Sequence, residues 1–240
     1  MTPPAATIRL MTWNIHGAVG RNPRFDLERV VALVRRHAPD IVALQEIDSR
    51  RAAGGNPFAV LRQALGEHAV DARTVSTADG DYGQALISRW PLAETAIHDL
   101  TWGAREPRRA IATSVRTPSG PLRVIATHLG LSLRERHRQA LTLQRLVGAR
   151  REATVALGDF NDWFWVGSVR RCLARDLPSC SAPRTFPARL PLFRLDRIYL
   201  WPPGALVASR TDPEARRLSD HLPVIADLRL DGLRIDPLSP

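Results

Sequence analysis

The stretch TVALGDFN, residues 154–161, runs from a short β-branched and apolar segment through Gly158 straight into Asp159 and Asn161. An apolar run of this length bounded by Gly, Asp and Asn reads as a buried strand that hands its chain to a loop. Gly, Asp and Asn are also ordinary turn formers, so on its own the segment could be a plain strand-end turn. Its meaning comes from recurrence. Asn14 follows IRLMTW, Glu46 follows DIVALQ and His128 follows LRVIAT, each a polar group set directly after an apolar run. Side chains at strand ends can converge on one rim while the sheets behind them stay packed.

Working outward, β-branched and apolar segments predict strands over Ile8 to Asn14, Ile41 to Glu46, Gln84 to Ser88, Ile111 to Arg116, Leu122 to His128, Thr154 to Leu157, Leu195 to Leu200 and Leu222 to Leu230. Helical spacing is expected over Asp26 to His37, where Leu27, Val30, Val31 and Val34 share a face, and over Leu133 to Arg150. Asp26 and Ser132 are the expected caps. Further helices are expected over Trp163 to Leu173 and Pro57 to Leu65. The middle of the chain, Asp71 to His128, carries several strands and little helix, which favours two packed sheets flanked by helices over a clean βαβ alternation. Length and composition fit one domain over residues 1–240, with short tails near 1–6 and 234–240.

The formal charge of +10 is carried by arginine alone, since the sequence contains no lysine. Guanidinium forks suit phosphate oxygens, although coding bias produces the same composition. Cys172 and Cys180 are too few for a disulfide framework or a thiolate zinc site, so buried free thiols are expected. No secretory leader or apolar run of about 18 residues is recognised, which points to a cytoplasmic protein; a monomer is expected.

Two further segments bear on chemistry. SDHLPV, residues 219–224, sets Asp220 beside His221 before a strand whose start Pro223 marks. Asp196 lies in the apolar setting RLDRIYL and, if buried, needs a partner that a histidine would supply. Taken singly, His128 reads as a buried core histidine and Glu46 as a solvated acid. Together, oxygen and amide donors without thiolates suit magnesium, with manganese the alternative. Such a cation would polarise a phosphate ester while imidazoles and Asn161 orient water and phosphate. Trp163, Phe164 and Trp165 read either as core or as a stacking platform.

TWN at 12–14, LQE at 44–46, THL at 127–129, GDFN at 158–161, LDRIY at 195–199 and SDH at 219–221 resemble, in this order, the endonuclease/exonuclease/phosphatase superfamily. GDFNDW at 158–163 and TFPARLPLFRLDRIYL at 185–200 resemble a group of small bacterial members. The resemblance implies a four-layered α/β sandwich of the deoxyribonuclease I type and a metal-dependent phosphoric ester hydrolase. It makes Asn14, Glu46 and Asp220 the metal side, with Glu46 the principal ligand. It gives Asp159 and Asn161 to aligning water and phosphate, and His221, oriented by Asp196, and His128 to the two imidazole positions. Arg108 in EPRRA is similar to a phosphate-facing arginine of some bacterial members, against the usual exposure of arginine. The implied activity is a phosphodiesterase on nucleic acid or a phospholipid head group. The alternatives are a phosphomonoesterase on a sugar or inositol phosphate and a silent nucleic-acid- or membrane-binding module. The chain departs from the pattern at His16, within NIHG, and at Gln84, where many relatives carry asparagine.

Overall fold

Residues 7–19, 25–52, 55–148, 152–163 and 167–230 are described in the computed structural model. The expected tails and the side chains of Phe164 and Trp165 lie outside them. The first half runs β1 (Thr7–Asn14), α1 (Leu27–His37), β2 (Ile41–Asp48), α2 (Pro57–Leu65), β3 (His68–Thr77) and β4 (Gly80–Ser88). The second continues with β5 (Leu92–Asp99), β6 (Arg109–Thr117), β7 (Gly120–His128), α3 (Leu133–Val147), β8 (Ala153–Asp159) and α4 (Ser168–Leu173). β9 (Ser179–Cys180), β10 (Asp196–Trp201), β11 (Leu206–Arg210) and β12 (Val224–Arg229) follow.

The strands form two six-stranded sheets, in the orders β11-β12-β1-β2-β4-β3 and β5-β6-β7-β8-β10-β9. Each has a parallel pair at its centre, β1 with β2 and β7 with β8, joined by α1 and α3 respectively. Crossover helices cover a sheet face, which is why these central strands are apolar on both sides. Ile8, Leu10, Ala43 and Leu86 of one sheet meet Ile111, Val124, Val155 and Ile198 of the other in a core between the sheets. On the outer faces, Met11, Trp13 and Leu44 pack under α1 and α2, while Ile125, Ala156 and Tyr199 pack under α3 and α4. The order is helix, sheet, sheet, helix: the four-layered sandwich.

Local signals act as their chemistry dictates at several points. Asp26 caps α1 by accepting from Arg29 N–H at 3.2 Å, and β12 begins directly after Pro223. Other expectations are corrected. Ser132 makes no side-chain cap bond, and α3 stops at Val147, where Gly148 follows at φ 62° and ψ −166°, a conformation outside the helical region and open mainly to glycine. The last helix starts at Ser168 rather than Trp163. Cys172 and Cys180 are free but only half-buried. Among the described residues no helix is long and apolar enough to cross a membrane.

Candidate active site

The C-terminal ends of the two central parallel pairs face each other across the sandwich. Asn14 ends β1 and Asp159 ends β8, and the Asn14 amide nitrogen donates to Asp159 Oδ2 at 3.0 Å and to Glu46 Oε1 at 2.7 Å. One short side chain thus bridges both sheets. Glu46 reaches this point through a backbone irregularity. The β2–β4 register slips between Leu44 and Ile47, and Glu46 takes φ 55°, a left-handed conformation that costs a non-glycine residue about 1–2 kcal/mol. The bulge lets Gln45 stay buried against Thr12, at 3.1 Å, while Glu46 points into the cleft.

Gly158 lets β8 deliver Asp159 beside β7. Its φ is 149°, and a Cβ there would lie 1.9 Å from Thr127 O. Opposite it, His128 Nε2 sits 3.6 Å from Asp159 Oδ2 and 3.9 Å from Glu46 Oε1. Asn161, also left-handed at φ 50°, donates its amide to Leu129 O at 2.9 Å, and its N–H to Asp159 Oδ1 at 2.9 Å. Its nitrogen therefore shapes the loop.

His221 and Asp220 come from the turn before β12. Ser219 ties that turn to β1, donating to Asn14 O at 2.7 Å while accepting from His221 N–H at 3.0 Å. Trp13 adds a second tie, from its indole N–H to His221 O at 2.9 Å. His221 Nδ1 lies 2.7 Å from Oδ2 of the fully buried Asp196 at the start of β10, and His221 Nε2 lies 3.9 Å from Asp159 Oδ2. The Phe186 ring, 4.8 Å away, closes the outer side of the imidazole. Trp163 packs on Phe186 and Phe193 at 5.4 and 5.1 Å.

The electrostatics separate two imidazoles of opposite character. Burial alone would discharge His221, but Asp196 and Asp159 override it and lift its pKa to about 10. His128 is driven the other way, to about 4, by burial and by the Arg108 guanidinium. Burial pushes the Asp159 carboxyl up, and the neighbouring Asp196 adds to the rise. Burial also works against the Glu46 charge, yet His16, His128 and Asn14 hold its pKa down at about 2.

Two residues behave differently from expectation. Arg108 is neither exposed nor facing the cleft: it is buried behind His128, with Nη1 3.1 Å from His128 Nδ1 and 3.0 Å from Glu106 Oε1. His16, to which the sequence assigned no role, places Nδ1 3.4 Å from Glu46 Oε2 and 3.5 Å from Asp220 Oδ1. Its backbone N–H donates to Asn14 Oδ1 at 3.0 Å, fixing which way the amide faces. The position within NIHG, two residues after the strand-end Asn14, was the available signal. Gln84 is buried and donates to Arg109 O at 2.7 Å, a sheet-bridging role.

Among the described residues two groups of donors are placed where they could hold a cation. Asp159, Asp196 and His221 bring ligand atoms within 4.8 Å of one another, but there a cation would have to displace the buried His221–Asp196 bond. Glu46 and Asp220, with side chains 24% and 46% exposed, open to the cleft and converge on His16. These oxygen donors fit a hard cation. Asn14 in this orientation presents nitrogen rather than oxygen to the carboxylates, so its amide would have to turn over to join them.

Paired carboxylates, a charged and a neutral imidazole, and a two-sheet sandwich that brings them to one rim define a phosphoric ester hydrolase. The chain belongs to the endonuclease/exonuclease/phosphatase family, whose model matches residues 11–221. It is 29% identical over 252 aligned residues to Uncharacterized protein YbhP of Escherichia coli (strain K12), covering 93% of this chain and 97% of that one. Among solved structures it is similar to an endonuclease/exonuclease/phosphatase from Beutenbergia cavernae, with TM-score 0.78 and 23% identity over 96% of this chain and 73% of that one. It is also similar to the human Nocturnin catalytic domain with bound sulfate anion, with TM-score 0.70 and 24% identity over 92% and 93% of the two chains.

Proposed function

We propose that the chain is a divalent-metal-dependent phosphodiesterase. The observation that carries this reading is the meeting of Asn14, Glu46, His128, Asp159 and the Asp196–His221 pair at one rim, linked by the contacts from Asn14 to both acids. Glu46 and Asp220 would hold magnesium, or manganese in its place. When bound, the cation supplies charge that offsets the phosphate's own and polarises its P–O bonds.

The protein's groups then divide the work. His221, charged at neutral pH and steadied by Asp196, donates from Nε2 to a non-bridging phosphate oxygen and stabilises the charge that grows there. His128 is neutral. Because Arg108 donates to its Nδ1, the proton sits on Nε2, which gives a second donor into the cleft. Asp159, a stronger base than an ordinary carboxylate because of its burial, aligns and deprotonates the attacking water. Asn161 holds the loop that keeps Asp159 in place. Arg108 acts through His128, as a positioning residue.

The test is turnover of bis(p-nitrophenyl) phosphate with magnesium or manganese, before and after chelation, in the wild type and in Glu46→Ala. Metal-dependent hydrolysis that falls by about 10³-fold or more in the variant, with the thermal transition retained, is the expected result. Equal turnover in EDTA, or an unchanged variant, would overturn the reading.

A further inference from the structure

Next to the acids the surface falls into a pocket of about 300 Å³, with His16 and Asp220 on the side it shares with the site. Its walls are apolar, made by Val19, Pro187 and Ala188, and Arg189 and Arg216 also line it. Both arginines are exposed, and among the described residues neither has an acidic partner. Arg36 holds Glu214 at 2.6 Å on the turn that carries Arg216, and Arg50 holds Asp48 at 2.7 Å. The loop bearing Arg189 is fixed to the site, because Ala188 N–H donates to Asp220 O at 2.7 Å and Thr185 O accepts from Leu222 N–H at 2.9 Å.

We infer that this pocket is a recognition site for a second phosphate group on the substrate, read by Arg189 and Arg216. The inference rests on the hydrolase reading and names the class of diester that the site would cleave: one whose portion beyond the scissile bond ends in a phosphomonoester. Unpaired guanidinium forks are suited to phosphate oxygens. Among the described residues the lining holds no Phe, Tyr or Trp, and so they offer neither a stacking platform of those rings for a base nor an aromatic cage for a quaternary ammonium head group. Neither arginine touches Glu46, Asp159, His128 or His221, so their charge is directed at a part of the substrate other than the reacting phosphate.

Such a group could belong to a nucleotide or to a phosphorylated polyol head group, and two matched pairs of substrates separate these sources. One pair is thymidine 5′-(p-nitrophenyl phosphate) with and without a 3′-phosphate. The other is a glycerol p-nitrophenyl phosphodiester with and without a second phosphate. In the wild type the added phosphate should raise kcat/KM at least about tenfold in one pair or both, the responding pair identifying the source. In R189A/R216A that ratio should fall toward one, and R189K/R216K should retain part of it. A wild-type ratio near one in both pairs, or a ratio unchanged in R189A/R216A, overturns the proposal. A separate measurement is calorimetric titration of the metal-free protein with inorganic phosphate, where R189A/R216A should bind about tenfold more weakly. If neither pair is hydrolysed, turnover of bis(p-nitrophenyl) phosphate decides the hydrolase reading, and the titration alone decides the pocket: unchanged binding, or none in the wild type, rejects it.

Discussion

Arg108 Nη1 lies 3.1 Å from Nδ1 of His128, both side chains buried, so an arginine occupies the proton-accepting nitrogen of an imidazole that faces the cleft with the other. The contact sets the tautomer and, by its charge, helps to hold the imidazole neutral. Arg108→Gln keeps a possible donor and removes the charge. His128 should then titrate above its value of about 4. Histidine NMR titration of the metal-free protein checks this; an imidazole that titrates as in the wild type would show that the charge of Arg108 does not reach His128.

The same imidazole makes the fold labile to acid. Its folded pKa of about 4 lies below the ordinary 6.5, so between these values the unfolded chain binds more protons and stability falls as pH drops. The loss is complete below about pH 4. His128→Gln should flatten the dependence of Tm on pH in this window for the metal-free protein, and a slope equal to that of the wild type would assign the lability to other groups.

For His221 the sign is reversed. Its pKa is raised from 6.5 to about 10, so the pairing with Asp196 contributes fully below pH 6.5 and is lost as pH rises through about 10. Asp196→Asn removes the largest source of the rise. The rate at neutral pH should fall by about 10²–10⁴-fold, and the basic limb should move down toward the ordinary histidine range. Loss of rate with an unmoved limb would mean that Asp196 is only a packing element.

Gly158→Ala places a methyl 1.9 Å from Thr127 O, at a φ of 149° that alanine rarely adopts. The expected cost is above about 2 kcal/mol, with β7 and β8 parting where His128 and Asp159 meet. Denaturant unfolding measures the loss, and turnover should fall in the fraction that remains folded. A variant of wild-type stability would show that the backbone opens there without cost.

How much was legible in the sequence follows from where each strand lies. The strands expected from apolar runs, β1, β2, β4, β6, β7, β8, β10 and β12, are all interior to the two sheets. The four that the sequence did not announce, β3, β5, β9 and β11, are the four edges. An edge strand buries little, as the largely exposed β5 shows, and so carries little hydrophobic pattern. Trp163 and Ser132 misled for a related reason, since composition at a helix start is a local signal that tertiary packing overrides.

The sequence by itself determined the interior strands, the sandwich class and the strand-end position of Asn14, His128 and Asp159, because burial writes apolar runs and polar stops into the chain; Glu46, expected at a strand end, lies two residues inside β2, which runs on to Asp48. It also called for a partner to Asp196. The resemblance pairs it with His221, 25 residues away, and the structure holds the two at 2.7 Å; only the tertiary structure decided that Arg108 lies behind His128. It alone placed His16 between Glu46 and Asp220, and it set Glu46 into the cleft by a bulge whose left-handed residue no propensity would choose. Contacts between residues far apart in the chain, and a backbone conformation that is locally unfavourable, leave no periodic trace in sequence; they exist because the two packed sheets fix both ends of each contact.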